Sequence, residues 1–159
     1  MEATTAGAGT RTRAAAGAKA PPFRSGEEAR EVLDATLAAT DRDDRASALL
    51  RAAGARIRFE LTDLGVVLHL APATEPDHDL RWGFGDEGDW EPRLRIWMDS
   101  ATANAYLQGA ESLAIAIARG RVRCEGDARA ALLYVPALKL LVEPYRRLVA
   151  ERFPHLERR

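Results

Sequence analysis

AYLQGAESLAIAIARGRVRCEGD, residues 105–127, combines three local patterns that decide the fold. Glu111–Ala118 is rich in Ala, Ile and Leu and predicts a short apolar helix that ends at Arg119-Gly120. Arg121–Glu125 alternates charged and apolar residues, which indicates a strand with one buried face. Gly126-Asp127 ends that strand. The segment therefore predicts a helix joined to the edge of a sheet, forming one wall of an apolar compartment.

Four stretches before this segment show the period of two that is typical of strands. They are Arg56–Asp63, Val66–Leu70, His78–Phe84 and Arg93–Met98, with a turn at Asp63-Leu64-Gly65. Because consecutive strands precede the helix and the fifth strand, the order predicts an α+β fold. We expect a mostly antiparallel five-stranded sheet with helices on one face.

Along the sequence, helices are predicted before and after the strands. Ser25 and Glu28 form a capping box at the start of the first helix, and Asp41 or Asp43 can cap a second helix that ends at Gly54. These two helices form a predicted helical hairpin.

The chain after Asp127 is also predicted to be helical. Asp127 can cap a short helix that reaches Tyr134, and Pro136 suits the first turn of a last helix. Pro144 removes one backbone hydrogen bond from that last helix, so we expect a kink or a break there.

The predicted domain organisation is one domain with two tails. Residues 1–22, rich in Ala, Gly and Thr, read as a disordered tail. The domain covers residues 23–150, with the helical hairpin at 23–54 and the sheet and remaining helices at 55–150. Residues 151–159 are expected to be a charged, frayed tail.

Bulk composition excludes several classes of function. The 159 residues are 47% hydrophobic and carry a net charge of −1, so we expect no nucleic-acid partner. No apolar run is long enough to predict a transmembrane segment. The lone Cys124 excludes an internal disulfide and fits a reducing cytoplasm, which is the predicted location.

No motif predicts catalysis, a metal or a cofactor. Gly83–Gly88 matches G-x-G-x-x-G, but an acidic loop and another strand follow it where a dinucleotide site needs a helix. The carboxylates of residues 86–91 lack the spacing of a calcium loop. His69, His78 and His155 are too scattered for a zinc pair. We therefore expect a protein that is not an enzyme.

Arginines recur on the polar faces of three predicted strands. They are Arg56, Arg58, Arg93, Arg95, Arg121 and Arg123. They indicate either a mixed, solvated sheet face or a basic surface for anionic lipid headgroups or an acidic partner. The sequence therefore leaves open a transient contact with a membrane surface or a protein.

The chain resembles the sterol carrier protein type 2 (sterol-binding domain) family over 55–147, in particular its actinobacterial-type relatives. The resemblance lies in the strand Leu94–Asp99 and the helix after it, Tyr106–Gly109, Leu113–Ala118, and the Gly120–Asp127 segment, with the hairpin turn at Thr62–Gly65. The chain departs from the pattern of that family in two places, the helices before the sheet and the long acidic loop at 86–91.

This resemblance implies non-enzymatic binding or carriage of a lipid, such as a fatty acid, acyl chain or sterol-like molecule. The ligand would lie in an apolar tunnel between the sheet and the helices, where Ala114, Ala116 and Ala118 leave space. The alternative is a structural or regulatory module whose tunnel is filled with side chains and whose surface binds a protein. The sequence also leaves open whether the protein forms a homodimer. Candidate lining residues are Trp82, Phe84, Ile96, Met98, Leu107, Leu113 and Ile117.

Overall fold

The computed structural model describes residues 20–54, 56–85 and 90–158, so the predicted tail lies mostly outside the described part. The helices are α1 (Gly26–Arg42), α2 (Asp44–Ala53), α3 (Ser100–Leu107), α4 (Leu113–Ala118), α5 (Ala128–Leu138) and α6 (Val142–Arg152). The strands are β1 (Ile57–Leu61), β2 (Val66–Pro72), β3 (Leu80–Phe84), β4 (Leu94–Met98) and β5 (Val122–Gly126). Short 3-10 helices cover Lys139–Leu141 and Pro154–Leu156.

The sheet confirms the predicted α+β class with five strands in the order β3-β2-β1-β4-β5. Three neighbouring pairs are antiparallel, and β1 with β4 is parallel. Phe59 of β1 lies opposite Leu68 on one side and Ile96 on the other. This register puts the alternating apolar residues of neighbouring strands in phase, so they share one face.

Helices pack on the apolar face of the sheet. α1 and α2 contact β2 and β3, and α4 contacts β5. Ser25 Oγ accepts a hydrogen bond from the Glu28 N–H at 3.1 Å, as the capping box predicts. Asp43 caps α2, and Gly54 ends it with a φ of 66°.

Gly126 ends β5 at a position that only glycine fits. Its φ is 137°, and a Cβ built there would lie 2.2 Å from the carbonyl oxygen of Arg93. The close approach lets β5 end against β4, where Gly126 lies opposite Leu94.

The last part of the chain differs from the prediction in two respects. Pro136 lies inside α5 rather than at the start of the last helix, and the break falls at Lys139–Leu141, just before Pro144. Leu138 is buried, so packing holds α5 together past Pro136 even though proline removes one backbone hydrogen bond.

The predicted frayed tail from residue 151 is also wrong for the described residues. α6 continues to Arg152, and Phe153 and Leu156 are buried in the core. The Leu156 carbonyl accepts a hydrogen bond from Asn104 Nδ2 at 3.0 Å. Burying two large apolar side chains outweighs the fraying expected from the charged residues around them.

Candidate functional site

A small cavity lies between the sheet and the helices. Its volume is about 60 Å³, and only apolar surface lines it. We call it the inner cavity; Leu33, Phe59, Leu61, Val66, Leu68, Met98, Ala103, Tyr106, Leu107, Leu138 and Leu141 border it. The sheet residues meet there because Leu61 lies opposite both Val66 and Met98. Ala103, Tyr106 and Leu107 meet there because residues three and four apart share a helix face.

A larger cleft lies beyond α3, at the surface. We call it the outer cleft; its volume is about 490 Å³, within the usual range for small-molecule sites. Tyr106, Gly109, Ala110, Glu111, Ser112, Leu113, Ala114, Val135, Pro136, Lys139 and Val142 border it. The Arg121 guanidinium donates hydrogen bonds to both carboxylate oxygens of Glu111. Most of the remaining border is apolar.

Tyr106 is the residue that borders both spaces. The residue is 8% exposed, and its hydroxyl has no hydrogen-bond partner among the described residues. Burial raises the pKa of Tyr106 to about 12, so its phenol stays protonated at neutral pH. The hydroxyl is therefore neutral and buried, and the surface of the inner cavity stays entirely apolar.

The structure separates the seven residues predicted to line a tunnel. Met98 and Leu107 border the inner cavity, and Leu113 borders the outer cleft. Ile96 is buried in the core, and Ile117 is 38% exposed. Trp82 and Phe84 pack against the core, and Trp82 Nε1 donates to Asp34 Oδ1 of α1 at 2.8 Å. Ligand contact by these residues stays a prediction.

The small residues of α4 do not form the wall that the sequence suggested. Ala116 is fully buried, but Ala114 and Ala118 are exposed, as is Ile115. α4 has six residues at the β5 edge of the sheet, so only one narrow side of it can be covered. Small residues that face solvent create no cavity, and only Ala114 borders the outer cleft.

Tyr106 is the site residue that the sequence analysis missed. The available signal was the helix that carries it, because Ser100–Leu107 contains no charged residue. A helix without a charged side belongs inside a protein. Nearly all of its residues are buried, including Ala103, Asn104 and Ala105.

The histidines and carboxylates of the described chain do not assemble a metal site. Within residues 20–54, 56–85 and 90–158, no group of three His, Cys, Asp or Glu side chains could hold an ion. His69 Nε2 lies 2.7 Å from the Gly85 carbonyl oxygen, and His78 Nδ1 lies 2.7 Å from Asp41 Oδ2. His155 Nε2 lies 3.0 Å from Glu28 Oε1. Asp86, Glu87 and Asp89 of the acidic loop lie outside the described residues.

The strand arginines lie among carboxylates rather than in a purely basic stripe. Arg123 pairs with Glu125 at 2.9 Å and stacks over Trp97 at 4.3 Å. Arg58 lies 3.4 Å from Glu60. This arrangement favours the mixed sheet face. In the part of the chain that the structure describes, no helix is long and apolar enough to cross a membrane.

Comparison with protein families gives a match over residues 33–139, to the SCP-2 sterol transfer family. A search of curated proteins gives no match.

Solved structures with the same fold include sterol carrier proteins. The apo form of sterol carrier protein 2 from Yarrowia lipolytica is 15% identical, with a TM-score of 0.53 over 77% of this chain and 95% of the other. A conserved hypothetical protein of Thermus thermophilus, described as a candidate sterol carrier protein, is 20% identical, with a TM-score of 0.55 over 74% and 86% of the two chains.

A third match is to part of a larger enzyme. The stereoselective inverting sec-alkylsulfatase of a Pseudomonas species is 14% identical, with a TM-score of 0.47. The match covers 57% of this chain but only 14% of the sulfatase.

Proposed function

Because the chain belongs to the SCP-2 sterol transfer family, we propose that it binds a lipid or another apolar small molecule without catalysing a reaction. The ligand would be a fatty acid, an acyl chain or a sterol-like molecule. The observation that carries the proposal is the inner cavity, which has no polar surface although it lies at the centre of the fold. Water is not stabilised in such a space because it finds no hydrogen-bond partner there. An alkyl chain, in contrast, gains about 0.8 kcal/mol of binding free energy for each methylene it buries.

The proposed site joins the inner cavity to the outer cleft. About 60 Å³ holds only a few methylene groups, so a long chain needs the larger space as well. Movement at Tyr106 would connect the two, because that residue borders both. In this arrangement Met98 and Leu107 contact the inner end of the chain, and Leu113 contacts its outer end.

Binding can be measured with diphenylhexatriene, a fluorophore that is dark in water and has no polar group. We expect its emission to rise on titration with the protein, and dodecanoate to displace it. Native mass spectrometry with organic extraction would then identify any lipid that co-purifies. A protein that neither enhances the fluorophore nor carries an extractable lipid would contradict the proposal.

The small volume of the inner cavity favours one alternative function. A module with a filled core could keep this fold and use its surface to bind a protein partner. That alternative predicts no fluorescence increase and a partner recovered in a pull-down. Cytoplasmic location, a homodimer and transient contact with a membrane surface remain predictions, which fractionation, light scattering and vesicle sedimentation would test.

A further inference from the structure

Large apolar side chains that are exposed to solvent are concentrated on two helices. Among the described residues there are five such side chains, and four of them belong to α4 or α5: Ile115, Ile117, Leu132 and Leu133. Leu132 and Leu133 are the most exposed of the five, at 77% and 61%. Single exposed apolar residues are common on protein surfaces, whereas a cluster of them marks an interaction site.

These side chains extend the two walls of the outer cleft. Ala114 borders the cleft, and Ile117 lies on the same side of α4 because residues three apart share a helix face. On α5, Val135 and Pro136 border the cleft, and Leu132 lies three and four residues before them. We call the four exposed side chains, with the opening of the cleft beside them, the docking face.

The charged residues next to the docking face are mostly cations. α4 contains no charged residue, and Arg119 follows it directly. α5 contains one charged residue, Arg129, and Lys139 follows that helix. All three cations are exposed. Residues 111–139 carry a net charge of +2, although the whole chain carries −1.

The carboxylates of the same stretch are already engaged. Arg121 donates hydrogen bonds to Glu111, and Arg123 pairs with Glu125 at 2.9 Å. Asp127 caps α5, where it accepts a hydrogen bond from a backbone N–H at 2.9 Å. The docking face therefore favours a partner that has negative charge beside apolar groups.

An anionic membrane surface fits the docking face better than the other partners do. A second copy of the chain would bring like charges together, because a twofold interface pairs identical patches. Helices that lie in a membrane interface combine apolar side chains with cations, as α4 and α5 do. The position at the opening of the outer cleft favours a membrane over an acidic protein, because a lipid ligand could then enter without crossing water.

We propose that the docking face binds the surface of a membrane that contains anionic lipids. Leu132 and Leu133 would enter the apolar boundary below the headgroups, and the cations would contact the headgroups. Membrane contact is thereby assigned to α4 and α5 rather than to the strand arginines of the mixed sheet face. The contact depends on exposure and charge alone, whereas its role in ligand uptake rests on the proposed function.

Vesicle sedimentation tests the contact with two compositions, phosphatidylcholine alone and phosphatidylcholine with phosphatidylserine in equal parts. We expect the wild type to sediment with the mixed vesicles and to bind less as salt is raised. The double variant Leu132→Gln/Leu133→Gln should bind them at least about tenfold more weakly, because glutamine is not stabilised in the apolar boundary. Arg119→Gln and Arg129→Gln should each weaken binding about fivefold.

Leu49→Gln and Arg95→Gln are the matched controls. Leu49 is 50% exposed on α2, Arg95 is exposed on β4, and neither borders the outer cleft. Both variants should bind vesicles as the wild type does. Because all of the substituted side chains are exposed, every variant should fold normally and bind diphenylhexatriene equally well without vesicles.

A wild type that does not sediment with the mixed vesicles would overturn the inference. A dimer that separates in the double variant would then assign the face to a second copy, and a monomer would leave an acidic protein as the partner. Equal losses in the double variant and Leu49→Gln would also overturn it. In each case, intact diphenylhexatriene binding would leave the proposed function standing. Vesicle binding that requires Leu132 and Leu133, without diphenylhexatriene binding or an extractable lipid, would support the docking face and overturn the proposed function.

Discussion

Replacing Ala103 by leucine tests whether the inner cavity is a real space that a ligand can share. Ala103 is 6% exposed and borders the cavity, so the larger side chain would extend into it. At about 24 cal/mol per Å³, filling a cavity of about 60 Å³ recovers at most about 1.4 kcal/mol. Leucine has a slightly lower helix propensity than alanine, and imperfect fit subtracts a little more. We expect Ala103→Leu to be between neutral and about 1 kcal/mol more stable than the wild type.

Two measurements on the same variant decide the matter. Urea denaturation gives the change in the free energy of unfolding, and titration with diphenylhexatriene gives the change in ligand binding. A shared space predicts that Ala103→Leu keeps or gains stability while its affinity for the fluorophore falls. A loss of about 1–3 kcal/mol would show that the site is already packed and would refute the reasoning.

Ala116→Leu provides the matched control for this substitution. Ala116 is also a helical alanine, is fully buried and borders neither the inner cavity nor the outer cleft. The same added carbons have no space there, so overpacking should destabilise the protein by about 1–3 kcal/mol. Binding of diphenylhexatriene by the folded variant should not change.

Two further predictions concern the frame around the site. Gly126→Ala should lower the free energy of unfolding in urea by about 3 kcal/mol, because its Cβ would meet the Arg93 carbonyl oxygen at 2.2 Å. Gly65→Ala, at a φ of 61° with nothing within 4 Å, should lose about 1 kcal/mol, and equal losses would contradict this assignment. The hydrogen bond to Asp41 raises the pKa of His78, so their pair stabilises the fold below the ordinary histidine pKa and loses that effect as pH rises through the raised value. His78→Gln should therefore lower the melting temperature more at pH 5.5 than at pH 8.5, and a loss independent of pH would exclude the ion pair.

The sheet could be predicted from the sequence because its signals are local. Alternation in residues 56–98 gives the first four strands, and turn residues such as Gly65 separate them. The segment from Gly120 to Asp127 gave the fifth strand and the resemblance to the family. Alternation does not determine which strands become neighbours, so the parallel pairing of β1 with β4 appears only in the structure.

The chain end could not be predicted because its burial depends on distant partners. Residues 151–159 are rich in charge, which indicates solvent exposure when they are considered alone. In the fold, Leu156 is buried, and its carbonyl oxygen accepts hydrogen bonds from Asn104 and Gln108 of the α3 region. Arg152 and His155 reach carboxylates of α1, Glu31 and Glu28 respectively. These long-range contacts leave no periodic trace in the sequence.

The location of the candidate site follows from how many sides of a helix are covered. α4 is rich in small residues, but it packs at the β5 edge, where only Leu113 and Ala116 are buried. α3 is buried on nearly every side. It borders the inner cavity and, at Tyr106, also the outer cleft. A residue on such a helix can separate two spaces, and Tyr106 does so. In this chain the uncharged helix Ser100–Leu107 is therefore a better sequence indicator of the two spaces than the alanines of α4.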